Sequence, residues 1–274
     1  MIRENEIIKI ISQASKLVKA SISDPEAHKE INLKQDGDIT KQIDLISESF
    51  IEGKLKTVIS NYQLISEENQ FKYNPNPKYT ILLDPVDGTE MLLRGYPLGN
   101  IAMSIHLTES MKTIFGIVVD ITTEIIYYAN EIGAYKIENN KKSDIKTSSI
   151  KSLKESFIGS YFGKNPRIQQ FMEYKNLIAS INRVFNYGGP LEIIRVAYGG
   201  ADAFLEFVKG FKSIDYASAV YIAQKAGAKV TNLKGTELII NEDLFKREKF
   251  VVAATDELLY EILNTIDNDK SSFN

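Results

Sequence analysis

A chain of 274 residues that is 43% hydrophobic and 25% charged has apolar material for one large domain or two moderate ones, and too much of it for a disordered protein. A net charge of −3 argues against the concentrated basic surface that nucleic-acid binding requires, and no run approaches the roughly 18 apolar residues of a membrane span. With no cysteine and only His28 and His106, disulfides and thiolate sites are excluded and zinc is disfavoured, so a metal would be held by oxygen: magnesium, calcium or manganese.

The first ten residues, MIRENEIIKI, carry too much charge for a signal peptide, so a cytoplasmic protein is expected. Residues 4–20 have Ile7, Ile11, Ala14 and Val18 at helical spacing. The polar turn QDGD at 35–38 precedes a second helix carrying Ile43, Ile46 and Phe50 on one face. Residues 62–65 and 79–83 read as strands, the latter stopped by Asp84-Pro85. Residues 100–107 alternate, with Ile101, Met103, Ile105 and Leu107 on one face and Asn100, Ala102, Ser104 and His106 on the other. FGIVVD and EIIYYA read as the next strand pair, and the polar segment ENNKKSDIKTSS at 138–149 reads as a domain boundary. Beyond it, ESFIGSYF and RVFNY read as strands and PLEIIRVAYG as a helix ending at Gly199-Gly200. A strand in DAFLEFV, a helix over 216–226 stopped by Gly227, the strands KVTNL and FVVAA, and the helix DELLYEILNTI follow, with a frayed NDKSSFN terminus. Mixed strands and helices in both halves imply a layered α/β or α+β architecture.

Four acidic clusters stand at the ends of apolar elements: Asp44 in TKQIDLISE, Glu67-Glu68 in LISEEN, Asp84 and Asp87 in ILLDPVDGT, and Asp215 in KSIDYASAV. Singly, each has a plain explanation. Asp44 reads as a solvated helix residue, Glu67-Glu68 as a charged strand end, DPVDGT as a turn and Asp215 as a helix N-cap. Together they make an oxygen-only ligand set for a divalent cation, whose charge would offset the repulsion between neighbouring acids. Asp84 and Asp87 flank a proline-stiffened turn that leaves the Val86 carbonyl between them, and Gly88 allows close backbone approach before a helix starting at Thr89. His106 reads as a strand residue near the core.

The order Asp44, Glu67-Glu68, DPVDGT and a late Asp215 followed by a small-residue helix resembles the inositol monophosphatase superfamily. These are magnesium-dependent, lithium-sensitive phosphatases that include fructose-1,6-bisphosphatases and 3′-phosphoadenosine-5′-phosphate phosphatases. The resemblance runs from about residue 38 to 254, and TKQID with DGTEMLLRGYP looks most like the archaeal members with both inositol-phosphatase and fructose-bisphosphatase activity. It implies an α+β fold, a layered αβαβα sandwich, with a domain over 1–140 carrying most metal ligands and one over 150–266 carrying substrate contacts and Asp215. Carried over by position, Glu67, Asp84 and the Val86 carbonyl would hold a first magnesium, and Asp84, Asp87 and Asp215 a second. Asp44, Thr89 and Glu67 would serve catalysis by orienting and deprotonating water, with Glu68 supporting the loop. Gly88 and Thr89 would cradle the phosphate; Gly188, Gly189, Glu206 and Asp215 would face the polyol, and Arg183 or Lys209 a second phosphate. Two or three Mg2+ ions are implied, with Mn2+ as substitute and Li+ and Ca2+ as inhibitors, in a homodimer acting on a small phosphorylated substrate, without nucleic-acid or membrane partners. The alternatives are a 3′-phosphoadenosine-5′-phosphate phosphatase and a non-catalytic sugar-phosphate-binding regulator. The chain departs from the family pattern at Ile214, where a tryptophan is usual, at Met91 after DGT, and at Gln224-Lys225-Ala226-Gly227-Ala228 in place of EAGG. The segment holding Glu206 also sits two residues further from Asp215 than in the animal enzymes. These departures bear on the substrate and spare the metal ligands.

Overall fold

The computed structural model describes residues 2–34, 39–72, 74–161, 165–240, 243 and 246–271. The QDGD turn lies outside them. The chain divides into two compact units, Met1–Tyr128 with Tyr135–Ser143, and Ala129–Ala134 with Asp144–Asn274.

The first unit opens with helix α1 (Glu4–Ser21), a hairpin of β1 (Glu30–Leu33) and β2 (Ile39–Lys41), and helix α2 (Gln42–Leu55). Strands β3 (Tyr62–Ser66), β4 (Gln70–Lys72) and β5 (Tyr79–Asp87) follow, then the single turn α3 (Thr89–Leu93). Strands β6 (Asn100–Leu107), β7 (Lys112–Asp120), β8 (Ile126–Ala129), β9 (Ala134–Glu138) and β10 (Lys141–Asp144) complete it. Among the described residues β3 to β10 form one sheet of eight strands in the order β10-β9-β8-β7-β6-β5-β3-β4. The segment read as a boundary therefore contains the edge strand β10.

Ile81 and Leu83 of β5, Ile101, Met103 and Ile105 of β6, and Phe115, Ile117 and Val119 of β7 make one apolar face. Ile7, Ile11, Ala14 and Val18 of α1 and Ile43, Ile51 and Leu55 of α2 pack on it. Each such isoleucine or leucine, taken fully out of water, contributes roughly 1.5–3 kcal/mol before entropy is counted. Ile46 and Phe50, expected on the inner face of α2, are only half buried. Ser47 and Glu48 are buried instead. The opposite sheet face is buried too, and it mixes apolar residues such as Leu82 and Val118 with polar ones. Gln63 donates to Thr80 (2.8 Å), and His106 lies between Ser104 (2.8 Å) and Thr113 (3.0 Å). Burial holds His106 down at about 4, so it is a neutral core residue.

Pro85 does not stop the strand. β5 continues to Asp87, and the step Asp84–Asp87 faces the shorter step Ala102–Asn100 on β6, which is a bulge. Proline has no N–H to give the ladder, and a bulge is where a strand can do without it.

The second unit holds β11 (Phe157–Ser160), α4 (Asn165–Met172), α5 (Lys175–Ser180), β12 (Arg183–Asn186), α6 (Pro190–Ala197), β13 (Ala203–Lys212), α7 (Ser213–Lys225), β14 (Lys229–Asn232), β15 (Arg247–Ala253) and α8 (Asp256–Ser271). Among the described residues its sheet has the order β12-β11-β13-β15-β14, parallel across β12-β11-β13 and antiparallel beyond. Leu177 of α5 and Leu258, Ile262 and Ile266 of α8 pack on Leu205, Phe207 and Val251. Phe204, Phe211, Phe250 and Tyr216 form an aromatic cluster. α8 runs to Ser271, through most of the stretch expected to fray.

Candidate active site

Asp44 and Asp215 are set by one local device. In Lys41-Gln42-Ile43-Asp44 and Lys212-Ser213-Ile214-Asp215 the lysine is the helix N-cap and the aspartate is the third helical residue. Each carboxylate accepts the N–H of its lysine, at 2.7 Å for Asp44 and 3.0 Å for Asp215. Asp215 is thus not the N-cap residue expected. The tetrad Lys-x-Ile-Asp occurs at both sites and was the available sequence signal for the pair.

Glu67 stands one residue past β3, and its N–H donates to the Leu83 carbonyl at 3.0 Å, which continues the parallel β3–β5 ladder. Parallel pairing of Ser66 with Leu83 thereby carries Glu67 to the level of Asp84, whose side chain is buried. Two acids far apart in sequence become neighbours through strand register. Ser47, one turn along α2 from Asp44, donates to the Pro85 carbonyl at 2.7 Å and pins the bulge to the helix. Asn100 opens β6 opposite Asp87 and donates to its Oδ2 at 2.7 Å. Gly88 has φ +74°, a left-handed turn that glycine enters without strain, and α3 begins at Thr89.

The Thr89 hydroxyl lies 2.8 Å from Asp44 Oδ1 and 2.6 Å from the Val86 carbonyl. One hydroxyl hydrogen faces two acceptors. Thr89 can donate to the Asp44 carboxylate or to the Val86 carbonyl, one at a time. Burial pushes Asp44 up to about 7, against the Lys41 and Thr89 hydrogen bonds that pull it down; the charges of Glu68 and Glu67 add to the rise. Glu48, buried one turn beyond, is also raised to about 7, first by burial, with the Asn69 hydrogen bond opposing.

Lys34, at the end of β1, reaches the glutamate pair. Its Nζ is 3.0 Å from Glu67 and 2.7 Å from Glu68, whose other oxygen accepts the Thr40 hydroxyl. Burial alone would lower this lysine, but the two carboxylates outweigh it and hold the ammonium charged well above its ordinary value. Among the described residues no three carboxylate or imidazole groups are gathered around a common point as they stand. The donor chemistry nonetheless suits a hard divalent cation: buried carboxylates and a main-chain carbonyl with a second lone pair. An ammonium ion already stands between Glu67 and Glu68. Lys34, Thr40, Ser47, Glu48 and Asn100 escaped the sequence reading. Of these, Ser47 and Glu48 could have been found from their helical spacing to Asp44.

Asp44, Glu67, Asp84, Val86, Asp87, Gly88 and Thr89 all belong to the first unit; Asp215, Arg183, Gly188, Gly189 and Glu206 belong to the second. Within it, Glu206 Oε1 accepts the N–H groups of Val208 (3.1 Å), Lys209 (2.9 Å) and Gly210 (2.9 Å). That carboxylate holds the bulge between Glu206 and Phe211. Gly188 has no room for a side chain, since a Cβ would lie 2.5 Å from Tyr161 Cβ, and Gly189 has φ +130° before Pro190 starts α6. Arg183 lies on the edge strand β12, exposed, with its guanidinium carbon 5.7 Å from the centre of the Phe157 ring.

The layered α+β fold is one shared by a class of phosphatases. The chain belongs to the inositol monophosphatase family, whose model matches residues 4–268. It is 31% identical to a bifunctional NADP phosphatase/NAD kinase of Methanococcus maripaludis, over 93% of this chain and 47% of the relative, so it spans about half that protein's length. It is 27% identical to a fructose-1,6-bisphosphatase/inositol-1-monophosphatase of Methanothermobacter thermautotrophicus, over 95% of both chains. The fold is shared with a solved inositol monophosphatase–fructose 1,6-bisphosphatase (TM-score 0.79, 24% identity, 97% of this chain and all of the other). It is also shared with the extragenic suppressor protein SuhB of Bartonella henselae (TM-score 0.83, 19% identity, 96% and 97%). Members of the family depend on metal, generally Mg2+. No helix among the described residues is long and apolar enough to cross a membrane.

Proposed function

We propose that this chain is a magnesium-dependent phosphomonoesterase that hydrolyses inositol 1-phosphate, fructose 1,6-bisphosphate, or both. The observation that carries the reading is the hydroxyl of Thr89 held between the buried Asp44 carboxylate and the Val86 carbonyl. That arrangement can orient a water molecule and take its proton. A bound divalent cation would supply an acidified water and offset charge on the phosphoryl group. In this reading Glu67, Asp84, Val86 and Asp87 hold the metal, and the Gly88 and Thr89 N–H groups meet the phosphate. Arg183, Gly188, Gly189 and Glu206 serve the remainder of the substrate. Glu206 would do so as the carboxylate that meets substrate hydroxyls. Family membership and the names of the archaeal relatives support a phosphatase.

A second reading is the phosphomonoester of a nucleotide, as in NADP or 3′-phosphoadenosine 5′-phosphate. The relatives named as bifunctional NADP phosphatase/NAD kinase, at 31% and 27% identity, favour it. The test is phosphate release from inositol 1-phosphate, fructose 1,6-bisphosphate, NADP and 3′-phosphoadenosine 5′-phosphate, with the protein stripped by EDTA and reloaded with Mg2+. Turnover of the first two that disappears on stripping and returns with Mg2+ is expected. Turnover of NADP alone would move the assignment to the second reading. Full activity after exhaustive chelation would remove the metal from the proposal, and binding without release from any ester would make the chain a regulator.

A further inference from the structure

The glutamate that the proposed function makes a metal ligand is already paired with a cation of the protein's own. Lys34 Nζ bridges Glu67 Oε1 at 3.0 Å and Glu68 Oε1 at 2.7 Å, and the three side chains are 16%, 18% and 4% exposed. Glu68 is anchored from its other side by the Thr40 hydroxyl of β2, so the lysine has a fixed partner within reach of Glu67. Lys34 adjoins the short hairpin strand β1 and ends a four-carbon stem, which allows the ammonium to move without moving the sheet. Glu67, by contrast, has its main chain locked to β5 through the Leu83 carbonyl.

We propose that Lys34 is a built-in counter-cation of the Glu67–Glu68 pair, which a divalent cation must displace before Glu67 can serve as its ligand. The inference rests on the reading of Glu67 as a metal ligand. Two carboxylates that would repel each other in a half-buried setting are neutralised by one ammonium ion, which keeps the metal-free fold intact. A divalent cation on Glu67 and an ammonium on the same carboxylate would repel strongly at such short range. Binding one therefore expels the other, and the lysine sets how much metal is needed to load the site. On release it can keep its bond to Glu68, or swing outward.

The test is isothermal titration calorimetry of MgCl2 into the EDTA-stripped full chain, with a thermal melt of each metal-free protein. Lys34→Met is expected to bind Mg2+ about tenfold or more tightly than the wild type, since a charge-assisted bond no longer has to be broken. Its metal-free form should melt lower. Lys34→Gln, a second neutral variant that can still hydrogen-bond Glu68, should also bind more tightly. Lys34→Arg, which keeps the charge, and Lys29→Met, which removes an exposed lysine paired with Glu26, should behave as wild type. Equal or weaker Mg2+ binding by both neutral variants overturns the proposal. Glu67→Gln separates the two levels of argument. If it weakens Mg2+ binding while the Lys34 variants change nothing, the lysine proposal alone fails. If it changes nothing, the ligand reading of Glu67 falls and takes the lysine proposal with it.

Discussion

Replacing Ser47 with alanine removes one hydroxyl and tests whether the DPVDGT segment is held by α2. The Ser47 hydroxyl donates to the Pro85 carbonyl at 2.7 Å, and both residues are buried. Without the donor, that carbonyl stays in the protein with one bond fewer, which costs about 1–3 kcal/mol. Alanine regains about 0.5 kcal/mol of helix propensity, leaving a net loss of roughly 0.5–2.5 kcal/mol. For a unit of this size about 1 kcal/mol corresponds to roughly 3 °C, so the melting temperature should fall by about 2–8 °C. Ser49→Ala, on the exposed side of the same helix, carries the same propensity gain without the buried bond and should be neutral or slightly stabilising. Differential scanning calorimetry of both variants in EDTA makes the comparison. A second effect should appear at 25 °C, where both proteins are folded: phosphate release from the Ser47 variant should fall, because Asp84 and Asp87 flank the freed carbonyl. The reasoning is refuted if Ser47→Ala melts within a degree of Ser49→Ala and turns over equally fast.

Asp87→Asn should nearly abolish turnover with the fold intact, since its amide oxygen can still accept from Asn100 while one ligand charge is gone; wild-type turnover would mean that Asp87 is only a bulge residue. Burial raises Glu48 to about 7 from 4.5, so the folded chain binds that proton more tightly than the unfolded chain. The associated stability is complete below about pH 4.5 and is lost as the pH rises through 7. Glu48→Gln in EDTA should therefore gain more melting temperature over wild type at pH 8 than at pH 5, and an equal gain at both would count against the shift. Arg183→Ala should weaken fructose 1,6-bisphosphate by about tenfold or more and spare inositol 1-phosphate if the guanidinium meets a remote phosphate. If it only covers Phe157, both esters should be unaffected apart from a stability loss of about 0.5–1 kcal/mol.

The sequence alone determined the composition of the site. Carboxylates at the ends of apolar elements, a proline-glycine turn between two of them and the absence of cysteine limit the chemistry to oxygen ligands and a hard cation. These are properties of residue type and short spacing, and they survive without coordinates. α1, the strand cores and α6 were legible for the same reason, because their apolar residues repeat at the period of the element they form.

What the tertiary structure decided are relations between residues far apart in the chain. Glu67 reaches the level of Asp84 because β3 and β5 run parallel in one particular register, and a register has no local signature. Pro85 looked like a strand terminator because its missing N–H is a local fact, while the bulge that tolerates it depends on β6 opposite. Ser47 and Asn100 are ordinary residues until a carbonyl and a carboxylate arrive beside them. Glu206 Oε1 accepts three N–H groups of its own bulge, a contact that depends on how β13 departs from its register with β15. Lys34 was invisible for the most general reason. A lysine in a polar hairpin reads as solvated charge, and only the fold brings two half-buried glutamates within reach of it.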